Sequence, residues 1–265
     1  MPGKPFISSP ASDMQKNYFE LIWIIAKTDF KLRYNNSILG YFWSLLKPLL
    51  LFGVLYLVFS VFMRWDVPHY QLYLLWGIIL WNFFAEGTTI GVHSLASKAS
   101  IIKKIYFPRL LVVIASTITA FLSLFVSSIV FFIFLLFSGA SLSYHALFFI
   151  PVVLLLYGFI LGTSLLLSAL YIKFRDIDQI WEVVLQAGFW LSPIVYPLAN
   201  VPEKYQRYLF FNPITGIIQY SRRAIIEHDL PAISGSVYIL IWVVALLTVG
   251  FFVFNWLSPQ AAEEL

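Results

Sequence analysis

Six apolar stretches, each long enough to cross a membrane as a helix, constrain this chain more than any other feature of its sequence. A bilayer core is about 30 Å thick, so a helix needs roughly 20 apolar residues to cross it. Only 11% of the residues are charged, whereas a soluble domain carries about 25%. The sequence therefore predicts an all-α, polytopic membrane protein. The predicted spans are 42–63, 72–92, 110–137, 146–171, 179–198 and 236–257.

Lysine and arginine are distributed unevenly between the two sides of these spans, with twelve on one side and five on the other. Because such an excess is typical of the cytoplasmic side, we expect both tails, residues 1–41 and 258–265, to be cytoplasmic. Residues 42–257 are then one transmembrane domain. No signal-peptide pattern occurs in residues 1–40, so we expect the first span to be retained.

The segment 16–34 precedes the first span and is amphipathic. Tyr18, Leu21, Ile22 and Ile25 recur at helical spacing on one face, which is typical of a helix that lies on a membrane surface. The alternative is a simple anchor. The basic and aromatic residues that would belong to an interface helix are Lys27, Lys31, Arg33 and Tyr34.

Two connecting segments are more apolar than a simple turn requires. Residues 94–109, on the predicted cytoplasmic side, combine basic residues with Ile101, Ile102 and Ile105. This pattern indicates either a solvated turn or a helix that docks into a soluble partner. Residues 199–235, on the outer side, contain recurring Tyr, Phe and Ile residues and are divided by prolines. We expect them to fold back into the outer membrane surface or into the mouth of a pathway, where protein can satisfy irregular backbone.

Motifs for several classes of enzyme are absent from the sequence. It contains no cysteine, no zinc-protease motif, no nucleophile elbow, no dinucleotide fingerprint and no phosphate-binding loop. An ATP-driven role therefore requires another chain. Ionisable residues within the predicted spans are limited to Lys47, Glu86 and Glu182, which provides no series of acids for a proton or sodium pathway. Gly87-x-x-x-Gly91 and Gly158-x-x-x-Gly162 are typical of close helix packing.

An ordered set of short motifs gives the chain a family resemblance. Lys31-x-Arg33-Tyr34-x-x-Ser37-x-Leu39-Gly40-x-x-Trp43, followed by Pro48, resembles the start of the membrane subunits of ABC-2-type polysaccharide exporters. The likeness continues through nearly the whole chain. It is strongest to O-antigen exporter permeases, with teichoic acid exporter permeases as near relatives. The further motifs are Phe107-Pro108, Arg175-Asp176-Ile177, Ser192-Pro193, Tyr196-Pro197 and Asn212-Pro213.

The resemblance implies an architecture and a set of partners. It implies six spans in the bacterial inner membrane, a homodimer, two copies of a separate ATPase that binds ATP and Mg²⁺, a lipid-linked polysaccharide as substrate, and no nucleic acid. It also implies that residues 95–106 form a coupling helix and that 200–211 and 214–228 form outer gate helices. The residues expected to couple to the ATPase are Ile101, Ile102, Lys103, Lys104, Ile105, Phe107, Pro108, Arg175 and Asp176.

Aromatic residues make up 19% of the chain, which suits a route for sugars because rings pack against the apolar faces of sugar rings. The alternative is that most of them face lipid or form interfacial belts. The resemblance implies that the first and fifth spans line the route. The candidate residues there are Tyr41, Phe52, Tyr56, Phe59, Trp181, Phe189, Trp190 and Tyr196.

Two other functions remain open from the sequence. One is a membrane-embedded enzyme acting on lipid-linked sugars, for which the Arg175, Asp176 and Asp178 group is the candidate centre. The other is an ABC-2 exporter of drugs or simple lipids. The sequence does not identify the glycan.

Overall fold

A computed structural model describes residues 10–34, 39–65, 67–102, 108–139 and 143–258. The side chains of 10–17, 34, 41, 101 and 102 are outside this description. Within the described ranges every regular element is helical. The α-helices are α1 (Pro10–Tyr34), α2 (Trp43–Tyr56), α3 (Tyr70–Ser97), α4 (Ala99–Ile102), α5 (Arg109–Phe137), α6 (Phe149–Lys173), α7 (Ile177–Leu191), α8 (Glu203–Leu209), α9 (Pro213–Arg222) and α10 (Ile233–Leu257).

Shorter helical turns extend or join these helices. Two π-helical segments, Leu57–Phe62 and Arg223–Glu227, continue α2 and α9. Turns of 3₁₀-helix occur at Gly40–Phe42, Tyr144–Phe148 and Leu198–Asn200. These short segments lengthen α2, α6 and α9, and Leu198–Asn200 lies between α7 and α8.

Four helices are long and apolar enough to cross a membrane: Trp43–Phe62, Arg109–Phe137, Tyr144–Lys173 and Ile233–Leu257. They coincide with the first, third, fourth and sixth predicted spans. The second predicted span corresponds to α3, which has 28 residues but is more polar. The fifth corresponds to α7, whose 15 residues reach only about 22 Å at 1.5 Å per residue.

The polar character of α3 is explained by its central position. It contacts α2, α5, α6, α7 and α9, and its side chains are buried along nearly the whole helix. Because protein rather than lipid surrounds it, α3 can carry Glu86 and Thr88 where they find polar partners. Trp76, for example, is fully buried and donates a 2.8 Å hydrogen bond from Nε1 to Ser221 Oγ.

The glycine pairs allow close contacts between helices, as the sequence predicts. A Cβ added at Gly87 would lie 2.7 Å from the side chain of Ile160, which joins α3 to α6. A Cβ added at Gly162 would lie 2.8 Å from the backbone nitrogen of Leu247, so α6 and α10 meet backbone to backbone. Such contacts maximise the van der Waals packing that holds membrane helices together.

The N-terminal end of α3 lies beside the C-terminal ends of α2 and α5 and the N-terminal end of α6. The Trp76 ring lies 4.5 Å from Phe131, near the end of α5, and 5.5 Å from Phe149, at the start of α6. Tyr56, at the end of α2, stacks 6.2 Å from Tyr70. We call this region the α3 N-terminal end.

The other ends of these helices meet at the C-terminal end of α3. His93 Nε2 lies 2.8 Å from Asp178 Oδ1 in the first turn of α7. Leu95 belongs to a buried cluster with Phe254 and Leu257 of α10. We call this region the α3 C-terminal end. The helices α2, α3, α5, α6, α7 and α10 thus alternate in direction along the chain.

The fifth predicted span and the gate helices have different bounds from those expected. Helix α7 ends at Leu191 rather than at residue 198, because Pro193 disfavours helical backbone at Ser192. The outer helices are Glu203–Leu209 and Pro213–Arg222 with its π-helical continuation. Helix α9 begins where Asn212 accepts a hydrogen bond from the Ile214 amide and proline occupies the first helical position.

Candidate functional site

The segment 192–197 follows α7 without continuing its helix and lies buried at the α3 N-terminal end. Ser192 and Ile194 have no exposed surface, and Val195 is 2% exposed. Proline at 193 and 197 keeps the chain out of a helix, so its carbonyl oxygens lack the partners that a helix would provide. The structure supplies those partners from α3 and α9.

Arg222 is the principal partner of this segment. Its side chain is 1% exposed and donates from Nη1 to the Pro193 carbonyl at 2.7 Å and from Nη2 to the Ile194 carbonyl at 2.8 Å. The guanidinium also lies over the Tyr73 ring, 3.4 Å from its centroid. One planar cation from α9 therefore binds the carbonyl oxygens of both Pro193 and Ile194, which follow the end of α7.

Tyrosine and glutamine side chains complete the hydrogen bonding of the segment. Tyr70 donates from its hydroxyl to the Val195 carbonyl at 2.8 Å. Gln219 donates from Nε2 to the Pro193 carbonyl at 3.1 Å, and the Tyr73 hydroxyl lies 3.3 Å from that same oxygen. The non-helical backbone is thus fixed by side chains distant in sequence.

The charge of Arg222 is balanced without a carboxylate, since no ion pair of this residue occurs within the described part of the chain. Burial lowers the pKa of Arg222 to about 10, while Tyr73 and Tyr70 act in the opposite direction. The guanidinium therefore remains charged at neutral pH. The carbonyl dipoles and the face of the Tyr73 ring stabilise that charge.

The aromatic candidates of the first span that the structure describes pack against other rings within the chain. Phe52 and Tyr56 stack at 5.6 Å, and Tyr56 stacks in turn on Tyr70. Phe59 packs 4.8 Å from Trp65. Phe52 and Tyr56 therefore lie on one face of α2, which turns toward α3. The side chain of Tyr41 is outside the described residues.

Helix α7 has two distinct faces. Trp181 and Phe189 turn toward α3: the Trp181 Nε1 donates to Thr88 Oγ1 at 3.0 Å, and Phe189 packs 6.0 Å from Trp81. No side chain of α7 is fully buried. Two candidates of the fifth predicted span remain. Trp190 of α7 is 54% exposed, and Tyr196, in segment 192–197, donates from its hydroxyl to the Trp190 carbonyl at 3.2 Å.

The opposite face of α7 is polar and open. Gln179, Glu182 and Gln186 are all exposed and lie on one side of the helix at spacings of three and four residues. Trp190 follows Gln186 on the same side. An exposed carboxylate and two amides are costly in lipid, so this stripe indicates a face directed toward water or toward another protein surface.

Only part of the expected coupling region is described. Helix α4 covers residues 99–102, and Lys103, Lys104, Ile105 and Phe107 lie outside the described residues. Pro108 is exposed and its extended backbone precedes α5. Arg175 and Asp176 are exposed in the turn between α6 and α7, and the Arg175 guanidinium lies 5.0 Å from the Tyr171 ring. His93 contacts that same ring, so both segments adjoin the α3 C-terminal end.

Helix α1 is joined to α3 by ion pairs. Arg33 pairs with Glu86, which also accepts a 2.8 Å hydrogen bond from Ser123 Oγ. Lys98 pairs with Asp29. Lys27 and Lys31 are exposed, and the Tyr34 side chain is outside the described residues. Arg33 of α1 therefore neutralises Glu86, one of the ionisable residues within the predicted spans.

A polar cavity of 620 Å³ lies beside the Arg33 and Glu86 pair, between α1, α2, α3 and α5. Lys47 of α2 and Ser123 of α5 contribute to its wall. Among the residues that the structure describes, no group of three His, Cys, Asp or Glu side chains is arranged to hold a metal ion.

Sequence reasoning missed Arg222, which it counted among the outer basic residues. A signal was present: Ile214, Ile218, Arg222 and Ile225 recur at spacings of three and four residues, so Arg222 falls on the apolar face of its helix. Arg223 does not. No comparable signal identifies Tyr70 and Tyr73, because their partners are more than 100 residues away.

Comparison with known proteins gives a consistent result. The profile of the family described as "ABC-2 type transporter" matches residues 20–226. The O-antigen export system permease protein RfbA of Klebsiella pneumoniae is 31% identical over 93% of this chain and 95% of its own length. Its namesake from Myxococcus xanthus is 25% identical over 85% and 90%. The polysialic acid transport protein KpsM of Escherichia coli is 21% identical over 90% and 92%.

Proposed function

The chain belongs to the ABC-2 type transporter family, and on that basis we propose that it is the permease subunit of an ATP-driven exporter of a lipid-linked polysaccharide of the O-antigen type. The observation that carries this proposal is the near full-length similarity to proteins named as O-antigen export permeases. ATP and Mg²⁺ would bind a separate ATPase subunit, present in two copies. The permease would lie in the bacterial inner membrane.

The alternating direction of α2, α3, α5, α6, α7 and α10 supports six membrane crossings. Four of these helices satisfy the length and hydropathy required of a span. The other two are the protein-enclosed α3 and the short α7, which the buried segment 192–197 extends. An even number of crossings places both tails on one side, and the excess of basic residues favours the cytoplasm for that side.

The polar stripe of α7 supports a homodimer around a common route. One copy leaves Gln179, Glu182 and Gln186 without a covering surface among the described residues. A second copy related by a two-fold axis would place two such stripes opposite each other and shield them from lipid. Trp190, on the same side of α7, would then face the sugar chain. Its ring offers an apolar face and an indole N–H for that contact.

The positions at the α3 C-terminal end support a docking region for the ATPase. Helix α4 follows α3 directly, and the Arg175–Asp176 turn adjoins it through His93 and Tyr171. Helix α1, held there by Arg33 and Asp29, would lie along the cytoplasmic surface of the membrane as an interface helix. A movement of the ATPase could thus reach α1, α3 and α7 together.

Complementation tests the proposal. Deletion of the gene should remove the surface polysaccharide, and a plasmid copy of this chain should restore it only when the ATPase subunit is present. The purified chain alone should hydrolyse no ATP. Chemical analysis of the lost polymer distinguishes O-antigen from teichoic acid. Unchanged surface polysaccharide together with altered drug or lipid efflux would overturn the proposal.

A further inference from the structure

A second cavity, of 560 Å³, lies at the α3 N-terminal end beside the two outer helices. It is bounded by the loop before α3, by residues 197–199 and by α9 with its π-helical continuation. Its volume falls within the range of roughly 300 to 1,000 Å³ that is usual for small-molecule sites. The family resemblance assigns gate helices to this region but no ligand to the cavity, and the polar stripe of α7 does not line it.

One side of the cavity offers an aromatic platform. Phe210, at the end of α8, stacks on Tyr220 of α9 with ring centroids 6.2 Å apart and an angle of 27° between the planes. Both rings line the cavity and both are partly exposed. Stacked rings of this kind match the apolar C–H faces of a sugar ring.

The remaining wall supplies hydrogen-bonding groups of both kinds. Arg223 and Glu227 contribute a donor and an acceptor at the surface. Gln219 and Tyr73 also line the cavity, but the Gln219 Nε2 and the Tyr73 hydroxyl already bond to each other and to the Pro193 carbonyl. Arg223 Nε lies 3.9 Å from Glu227 Oε2, and Arg223 also pairs with Asp229. Adjacent sugar hydroxyls can donate to a carboxylate and accept from a guanidinium at the same time.

The charges of the wall favour a neutral ligand. Arg223 is paired with two carboxylates, and both terminal nitrogens of Arg222 donate to backbone carbonyls. Of the two arginines in the described wall, neither is left without an acceptor. Arg222 has no carboxylate partner but is only 1% exposed, so a phosphate or a uronic acid would find no exposed, unpaired arginine in the described wall. An acyl chain would meet charged groups.

We propose that this cavity, with Phe210, Tyr220, Gln219 and the Arg223–Glu227 pair in its wall, binds one or two neutral sugar units of the exported chain on the outer side of the membrane. This inference rests on the proposed function. The site adjoins segment 192–197, so a bound sugar contacts the residues that directly follow the backbone held by Arg222.

Binding of polysaccharide to the reconstituted protein tests this site directly. The probe is lipid-free polysaccharide prepared from the surface of the same strain. It is added to the permease and its ATPase in nanodiscs, and saturation-transfer NMR detects contact with sugar ring protons. Phe210→Leu should weaken binding by about two- to tenfold, since a stacked ring contributes about 0.5 to 1.5 kcal/mol. Phe211→Leu is the matched control, because Phe211 is the adjacent ring and lies 62% exposed outside the cavity.

A second variant and a competitor distinguish the remaining explanations. Glu227→Gln removes an acceptor at a site that is already exposed, so it should weaken binding without lowering thermal stability. Equal binding by the wild type, Phe210→Leu and Glu227→Gln would overturn the site, as would competition by inorganic phosphate. If the three proteins bound equally while cells still exported the polysaccharide, the site would be wrong and the proposed function would stand. If deletion of the gene left the surface polysaccharide unchanged, both the site and the proposed function would be overturned.

Discussion

The two ends of the helix bundle hold their charges in different ways. At the α3 N-terminal end, the buried Arg222 binds neutral carbonyl oxygens of one irregular segment. At the α3 C-terminal end, Lys98 pairs with Asp29 of α1, and Arg33 of α1 pairs with Glu86 nearer the middle of α3.

The cations at the two ends hold different parts of the molecule in place. Arg222 fixes backbone, and its acceptors neither titrate nor rotate away. The ion pairs join side chains on separate helices and are partly open to water, where solvent weakens each pair. We therefore expect the α3 N-terminal end to behave as a rigid closure and the α3 C-terminal end as a set of separable contacts.

Replacement of Arg222 should produce the largest effect. In Arg222→Met, the Ile194 carbonyl remains buried without a donor, while the Pro193 carbonyl keeps Gln219 and Tyr73. A buried group without its partner costs about 1 to 3 kcal/mol, so the free energy of unfolding should fall by about that amount. Arg222→Lys should rescue only partly, because one ammonium lacks the planar fork that reaches both oxygens. Thermal unfolding of the purified protein measures both changes.

Arg207→Met is the control for this experiment. Arg207 lies on the exposed α8, so its replacement should leave the unfolding midpoint nearly unchanged. If Arg222→Met were as stable as Arg207→Met, the idea that Arg222 fixes segment 192–197 would be wrong.

Breaking the Arg33 and Glu86 pair should produce an intermediate effect. Their side chains are 39% and 20% exposed, so a double-mutant cycle should give a coupling of about 1 kcal/mol. Glu86→Gln should increase hydrogen exchange in the last turns of α1 more than in α5. Glu20→Gln, on the exposed side of α1, should not. A uniform increase in exchange across the bundle would instead indicate that Glu86 supports the core as a whole.

The pair between His93 and Asp178 should contribute least. Both side chains are more than one-third exposed, so Asp178→Asn should change stability by less than about 1 kcal/mol. Even this change should diminish in 1 M salt, where the Debye length is about 3 Å. Asp176→Asn, in the same turn and without a side-chain cap bond, provides the comparison. If Asp178→Asn lowered the stability by more than this and the loss did not depend on salt, the His93–Asp178 pair would be a fixed contact like those of Arg222.

Sequence patterns predicted most of the helices because hydrophobic length and prolines are local properties. The third and sixth predicted spans, 110–137 and 236–257, differ from α5 and α10 by only a few residues at their starts. The predicted apolar face of α1 is present in part: Leu21, Ile22 and Ile25 are partly buried, whereas Tyr18 is exposed, as Lys27 is.

Helix rotation and non-local hydrogen bonding could not be predicted in this way. Spacing places Phe52 and Tyr56 on one face, but only packing decides that this face meets Tyr70. Segment 192–197 is another case, since prolines predict that the helix stops but not which side chains pair its carbonyls. Those donors come from positions 70, 73, 219 and 222.

The backbone contact between α6 and α10 has a mechanical consequence. Where Gly162 meets Leu247 there is no side chain between the two helices, so neither can slide or roll without driving a bulkier neighbour into the other's backbone. The two helices are therefore expected to move together as one rigid body. Any widening needed to pass a polymer has to be absorbed elsewhere. Of the six described helices that alternate in direction, α7 is the one with no fully buried side chain and is therefore the least restrained against such a movement.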